Sequence, residues 1–450
     1  MIWEKLLSLN KYGDTATRLR INEDETRLSF DMDYDRVVFS SAFRSLQDKT
    51  QVIPLSKTGF VHTRLTHSIE VSVVGRSLGR AVGKHLLTKY PHLRDWGYQT
   101  NDFGAIIAAA SVAHDIGNPP FGHSGEKAIG DFFRYHEGSV LKEQLSDREY
   151  ADLCNFEGNA NGFKILTESR AGVQGGLRLT YATLGTFIKY PKESLPIKPS
   201  AAVYDKKYNI FQSDKAFFHE VAQELSLLPI GEGDERRYVR HPLAFLVEAA
   251  DDICYTLIDF EDGINLGWIP EDNALEYLIQ LIRGSRIKPE NITQKYYQLT
   301  HKQDRVAYLR ALSIGTLIGE VVTLFEENEE SLLRGEMTTS LLEKSRYKNQ
   351  IKDIIDLSVG NIYQSPQVVE KELAGYAILQ HLLRVYFTAV YHKWHGNTSS
   401  YDHIILKTIP TRYLQEQEGL YEQILAVTCY VASLTDTQTT KLHSKLNGIL

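Results

Sequence analysis

Three cysteines in 450 residues, Cys154, Cys254 and Cys429, are too few and too far apart for a disulfide framework, and no CxxC pattern is present. An odd count without spacing points to reduced thiols, and so to a cytoplasmic chain. No run approaches the ~20 apolar residues that a bilayer-spanning helix needs. The opening MIWEKLLSLN lacks the charged, apolar and small-residue regions of a secretory leader. A soluble protein with no membrane partner is therefore expected. The absence of a GxxxxGK loop excludes a P-loop as phosphate cradle, and no internal repeat or low-complexity tract is found. Positive charge is not in excess either: 50 Lys and Arg against 57 Asp and Glu leave a net charge of −7. That balance offers no support for a nucleic-acid groove.

What is present is a large apolar reserve and a recurring helical period. With 42% hydrophobic residues the chain can bury a sizeable core, and its length alone would allow two or three domains. The segment THSIEVSVVGRSLGRAVGKHLL, Thr66 to Leu87, places Ile69, Val73, Val74, Leu78, Ala81 and Val82 near a three-to-four residue period, with Thr66 as the expected cap. A second segment opens with Asp102 as a cap candidate and runs through alanines and isoleucines to His114. Gly117 and the pair Pro119-Pro120 then break it. A third, His241 to Phe260, reads as an apolar helix with an acidic interruption at Glu248, Asp251 and Asp252. Carboxylates are rarely buried without partners, so that interruption needs a reason.

The reason offered by the sequence is a metal. His67, the adjacent pair His114-Asp115, and Asp251 each lie in one of these apolar segments. Imidazole nitrogen and carboxylate oxygen form a mixed ligand set suited to Mn, Fe or Mg. Four protein ligands on an ion that prefers six leave places for water and substrate, the chemistry of metal-assisted hydrolysis of phosphate esters or anhydrides. Each piece alone has a plainer reading: a lone histidine on an apolar helix is usually a hydrogen-bonded core residue, and Asp251-Asp252 could be a solvated face. Their company argues otherwise. Directly after His114-Asp115 comes GNPPFGHSGE, which offers His123 and Glu126 for general acid-base work among glycines that permit close backbone approach.

Six strings, SSAFRSLQDKTQV, HTRLTHSIEV, AHDIGNPPFGHSGE, NFEGNANGFKIL, LTYATLGTFIKYP and HPLAFLVEAADDICY, together resemble the deoxyguanosinetriphosphate triphosphohydrolase family of the HD-domain superfamily. They occur in family order over roughly the first 260 residues, with a weaker echo in YVASLTDTQTTKLHSKLNGI near the C-terminus. The resemblance implies conversion of a deoxynucleoside triphosphate and water to deoxynucleoside and intact triphosphate, dGTP favoured. It implies His67, His114, Asp115 and Asp251 as ligands of a divalent metal (Mn, Mg, Co or Fe). His123 would act at the α-phosphate as acid or base, oriented by Glu126 one helical turn away.

The same resemblance assigns the substrate contacts one by one. Gln51 would hydrogen-bond the sugar 3′-hydroxyl, and Val52 would pack where a 2′-hydroxyl would sit. A ribose would lose solvation there without a partner, a discrimination of ~1–3 kcal/mol. Tyr255 would stack on the deoxyribose and Asp259 would be a second 3′-hydroxyl acceptor; their spacing of four from Asp251 puts all three on one helix face. Phosphate contacts would come from Arg64, Lys189, Tyr190 and Lys207, although for Lys207 a solvated surface charge is the simpler reading. Arg44 is either a phosphate contact or a prop behind one. Asn118 and Asn159 lie in matching motifs near the metal. Some members of the superfamily carry a histidine where Asn118 stands, so Asn118 is not counted as a ligand here. Family members form tetramers or hexamers, some with nucleotide or single-stranded DNA effectors, and a homo-oligomer is expected on that ground. Two rivals use the same residues differently: another HD-type phosphohydrolase acting on nucleoside monophosphates or signalling nucleotides, and a non-enzymatic nucleic-acid-binding regulator.

The expected architecture is all-α: an HD-type domain over residues 1–283 and a helical extension over 284–450 packed on the same core. A proline- and lysine-rich insertion at 193–214 is expected to form a short hairpin, and Gly284 to Lys295, interrupted by Pro289, is the expected boundary.

Overall fold

Glycines in the segment that carries His67 decide how closely two helices meet. In the computed structural model, which describes residues 1–52, 62–283, 289–414 and 419–449, nine helices frame the site. Numbered in chain order they are α1 (Ser29–Val38), α2 (Arg64–Lys89), α3 (Thr100–Ala113), α4 (Gly122–Tyr135), α5 (Ala244–Asn265), α6 (Lys302–Arg334), α7 (Pro366–Trp394), α8 (Leu420–Ser433) and α9 (Asp436–Leu446). A methyl group placed on Gly79 of α2 would stand 2.5 Å from the Phe103 carbonyl oxygen and 2.9 Å from Gly104 Cα of α3. The two backbones therefore touch, and the pair α2/α3 becomes the frame against which α1, α5 and α6 pack.

The helix starts differ in detail from the sequence expectation. Thr63, not Thr66, caps α2, and Thr66 answers it, its hydroxyl accepting from the Thr63 N–H at 2.9 Å in a reciprocal capping box. Asp102 likewise lies inside α3 and accepts from the Gln99 N–H at 2.7 Å. In both cases the helix begins earlier because a reciprocal pair closes its first turn. His67 stays at the start of α2, and His114 stands at the C-terminal cap of α3.

Apolar side chains of α2, α3, α5 and α6, among them Leu78, Ile107, Leu257 and Phe325, share one core. A second cluster joins α4 to α7 and α8 through Phe132, Phe133, Phe387 and Leu425. The helix α6 is long and apolar enough to cross a membrane by length and composition, contrary to the expectation that no run approaches that limit. Part of it belongs to the protein core: Leu317, Val321 and Phe325 are buried, and Glu329 accepts from Trp3 Nε1 at 2.9 Å and from Lys89 Nζ at 2.8 Å.

The hairpin expected at 193–214 is displaced. That segment holds only an isolated parallel bridge between Glu193 and Ile210 and short 3-10 turns, and the antiparallel pair lies further on, Pro229–Ile230 with Arg237–Tyr238. Pro196 and Pro199 withhold the N–H groups a ladder needs, whereas Gly231 and Gly233, at φ +74° and +56°, supply the turn downstream. Residues 284–288 of the expected boundary lie outside the described residues. From Pro289 onward the boundary is helical, Pro289–Gln298, because proline suits a first helical turn.

Two outcomes test this packing. Gly79→Ala is expected to lower stability by about 1–3 kcal/mol through overpacking; unchanged denaturant midpoints would refute backbone contact of α2 with α3. The second concerns His62, whose Nδ1 lies 2.8 Å from Asp262 and Nε2 3.2 Å from Glu70, tying the α5 C-terminal end to α2. Burial lowers its pKa, but the two carboxylates outweigh burial and raise it from 6.5 to about 10. A folded-state pKa above the unfolded one gives stability that is full below pH 6.5 and lost as pH rises through about 10. The melting-temperature deficit of His62→Gln should follow that course, and a deficit constant with pH would contradict the ion pairs.

Candidate metal centre and catalytic pocket

The ends of α2 and α3 and the middle of α5 bring the four expected ligand residues together. His67 Nε2 lies 3.1 Å from Asp251 Oδ1, and His114 Nε2 lies 3.4 Å from the same oxygen and 3.5 Å from Asp115 Oδ1. His67, His114 and Asp115 each offer a ligand atom within 4.8 Å of the others. Neighbouring ligand atoms on one ion, each ~2.1 Å from it, sit about 3 Å apart, so this spacing fits a shared cation. The tautomer fits too. His114 Nδ1 lies 2.7 Å from the Ser111 carbonyl oxygen and can only donate there, leaving the Nε2 lone pair for the cluster.

Each carboxylate is also held from behind. Lys189 Nζ lies 2.6 Å from Asp251 Oδ2, Arg64 Nη1 lies 2.6 Å from Asp115 Oδ2, and Asn118 Nδ2 donates to Asp115 Oδ1 at 2.6 Å. Burial would raise both carboxyl pKa values. For Asp115 the charges of Arg64, His114 and His67 reverse this, and for Asp251 those of Lys189 and His114, so both stay well below the carboxylate range. The acidic interruption of α5 is thereby explained in part. Glu248 pairs with the buried Arg240 at 2.6 Å, and Arg240 in turn donates to the Lys189 carbonyl at 2.7 Å, steadying the strand of chain that carries Lys189. Asp252, beside them, is raised by burial and by the charges of Glu248 and Asp251.

The loop between α3 and α4 turns on two unusual features. A methyl on Gly117 would stand 2.1 Å from the Gly158 oxygen, so only glycine lets this loop lie on the helix Gly158–Thr167. Phe121 adopts φ +61°, a conformation costly for a side-chain-bearing residue. Its N–H donates to buried Asp436 Oδ1 at 3.1 Å, and Asp436 Oδ2 accepts from the Thr50 N–H at 3.1 Å. Buried Lys49 donates to the Asn118 and Ala432 carbonyls at 2.6 and 2.9 Å. The α9 terminus thus pins both loops beside the metal cluster. The loop's reward is the pair foreseen from sequence: His123 Nδ1 lies 2.8 Å from Glu126 Oε2, while Glu126 Oε1 accepts from the Gly158 N–H at 2.7 Å. Burial raises the Glu126 pKa, but the His123 hydrogen bond and the Lys207 charge outweigh it and hold the group ionised. The His123 ring is 75% exposed, open to the pocket.

One cavity of about 350 Å³ runs from this pair past the metal cluster to the sugar-binding residues expected from sequence. Gln51, Val52 and Tyr255 line one end, and Arg64, Asn118, Asn159, Lys189, Tyr190 and Lys207 the rest. Lys207 is therefore not the solvated surface charge of the simpler reading: its Nζ lies 3.0 Å from Glu157 and 3.8 Å from Glu126. Arg44 is exposed, donates to the Phe39 carbonyl at 2.6 Å and does not line the cavity. Asp259 lies just behind the wall, buried and bonded to the Tyr363 hydroxyl, with its pKa pushed up to about 7 mainly by burial. Tyr363 itself, stacked on Tyr255 with ring centroids 5.7 Å apart, was not foreseen. Nothing near it in sequence marks it, since its partner Asp259 is 104 residues away. Gln51 Oε1 and Asp259 Oδ1 are buried with no hydrogen-bond partner among the described residues. Buried acceptors rarely stay unpaired, so the Gln51 oxygen on the cavity wall is suited to a hydroxyl donor.

Helices that converge a His, a His-Asp pair and a distant Asp on one cavity define the HD-domain class, and residues 64–163 match the HD domain family model. Within that class the chain belongs to the deoxyguanosinetriphosphate triphosphohydrolase family. It is 41% identical, over the full length of both chains, to a deoxyguanosinetriphosphate triphosphohydrolase-like protein of Synechocystis. A like-named protein of Pseudomonas aeruginosa is 36% identical over 100% of this chain and 99% of its own. A deoxyguanosinetriphosphate triphosphohydrolase of Klebsiella pneumoniae is 30% identical over 82% of this chain and 78% of its own.

Removing one candidate ligand tests the centre. Asp251→Ala, which also strips Lys189 of its partner, should purify without the divalent ion by metal analysis while keeping the helical circular-dichroism spectrum; full metal content would remove Asp251 from the ligand set.

Proposed function

We propose that this chain is a metal-dependent deoxynucleoside triphosphate triphosphohydrolase with dGTP as favoured substrate, as the names of its relatives suggest. The observation that carries this reading is one cavity that joins a His/Asp cluster spaced for one ion to Gln51, whose buried Oε1 has no partner among the described residues, and to Tyr363, behind which lies Asp259 with its buried Oδ1. The cluster suits the α-phosphate and the Gln51 oxygen suits a sugar hydroxyl. Val52, only 7% exposed, offers nothing to a 2′-hydroxyl beside it. Tyr255 and Tyr363 supply an aromatic floor for the sugar.

His67, His114, Asp115 and Asp251 would hold a divalent ion, Mn, Mg, Co or Fe, which when bound supplies Lewis-acid polarisation of a phosphoryl oxygen and a more acidic water. The remaining work belongs to the protein's own groups. Arg64, Lys189 and Lys207 bring positive charge to a triphosphate of about four negative charges. In the reaction the oxygen of water bonds to the α-phosphorus as the bond to O5′ breaks, so that oxygen ends in the triphosphate and O5′ leaves as a hydroxyl. Glu126 holds the Nδ1 proton of His123, which leaves Nε2 as the nitrogen that takes a proton from water or gives one to O5′. Asn118 and Asn159 place amides near the transferring phosphate. The three free, buried cysteines suit a reducing compartment, and we place the enzyme in the cytoplasm.

Anion-exchange analysis of products from the four deoxynucleoside triphosphates, with Mn, Mg or Co supplied, tests the reading. Intact triphosphate is expected, and orthophosphate or pyrophosphate as first product would point to another HD-type phosphohydrolase. His123→Ala should lower kcat by ~10²–10⁴-fold with KM little changed; an unchanged kcat would take His123 out of the mechanism.

A further inference from the structure

A second cavity, of about 600 Å³, lies against the catalytic one and shares its wall of His123, Glu126 and Lys207. On its far side stand Lys127, Arg134 and Lys198. Lys127 and Lys198 are exposed, and no ion pair is seen for either among the described residues. Arg134 has part of its guanidinium on Asn155 and lies 3.6 Å from Asp131. The only carboxylates lining this space, Glu126 and Glu157, are already engaged by Lys207. A narrower space of about 160 Å³ continues outward, where Lys192 and Lys206 join Lys198 and Lys207 opposite Asp205 and Glu157. The cations of this path come largely from the insertion at 193–214 and its edge, which the reaction itself leaves unused apart from Lys207.

Charge is thus graded along one route. The metal end of the catalytic cavity holds its cations in tight pairs with Asp115 and Asp251, whereas beyond Lys207 the pairing is looser: Lys127 and Lys198 are exposed and show no ion pair among the described residues, and Arg134 and Lys206 lie 3.6 and 3.7 Å from Asp131 and Glu343. A highly charged anion formed at the first end gains free cationic partners by moving to the second. Resting on the reading above, we propose that this annex is a polyphosphate-receiving subsite: triphosphate released near the metal passes Lys207 and is held by Lys127, Arg134 and Lys198 before it leaves. The bound chemistry is a linear triphosphate. Its source is the product of turnover, although triphosphate from bulk or the tail of a second nucleotide would present the same groups.

The test uses the metal-loaded full chain and a Lys127→Ala/Lys198→Ala variant, both changes being at exposed positions. Initial rates and KM should stay within about twofold of wild type, while the inhibition constant for added inorganic triphosphate rises about tenfold, the sum of two exposed charge contacts. Equal shifts in KM and inhibition constant, or no shift in either, would overturn the annex. Calorimetric titration with inorganic triphosphate, without substrate, separates this from the activity reading. Equal affinity of wild type and variant defeats the annex even where triphosphate is the product. Weakened binding in the variant upholds the anion site even where hydrolysis gives other products. A variant that loses affinity for a non-hydrolysable nucleoside triphosphate but keeps product inhibition would assign the annex to incoming nucleotides and refute its receiving role.

Discussion

The backbone contact between α2 and α3 is the constraint on which the site rests. It starts at Gly79 against Phe103 and Gly104 and continues at Gly75, where an added methyl would stand 2.6 Å from Ser111 Oγ. The Ser111 carbonyl oxygen in turn accepts the hydrogen bond from His114 Nδ1–H. A larger residue in this stripe would separate the helices and, with them, His67 from His114, whose ring centroids lie 5.3 Å apart. The close spacing of the candidate ligand atoms thus descends from the smallest side chains in the chain, because only they let two helices approach this closely.

Around that frame the protein keeps an arrangement of buried charge that costs desolvation and adds little to stability by itself. Asp115 and Asp251 each turn one oxygen inward to the imidazoles and one outward to a cation. The outward cations keep the carboxylates ionised. A second buried cluster, Lys49 and Asp436, ties the C-terminal helices to the loops on either side of the cavity. The C-terminal third is therefore part of the site's support, though it supplies few residues to the cavity.

Much of this was legible in the chain. His114-Asp115 before a proline bend, and His123 three residues from Glu126, are local patterns whose geometry follows from helix pitch, and the structure places both as expected. The reciprocal caps of α2 and α3 lie three residues before the positions the sequence suggests, since a threonine or aspartate at the third position resembles a cap until its partner is seen. For Lys207 the sequence offers no signal against a solvated surface charge, yet Glu157 and Glu126 draw it to the cavity. Tyr363 had no local signal at all. The C-terminal string containing Asp436 did stand out, but not its task, which is to hold Thr50 and Phe121.

The sequence by itself determined the helical class, the residue types of the candidate metal cluster and the His123-Glu126 pair, because periodicity and short spacings act within a few turns. Only the tertiary structure decided which oxygen faces which imidazole, that Tyr363 closes over Asp259, and that the lysines near the insertion line a second cavity. Those are contacts between residues tens to hundreds of positions apart, and they exist only once apolar burial has driven the helices together.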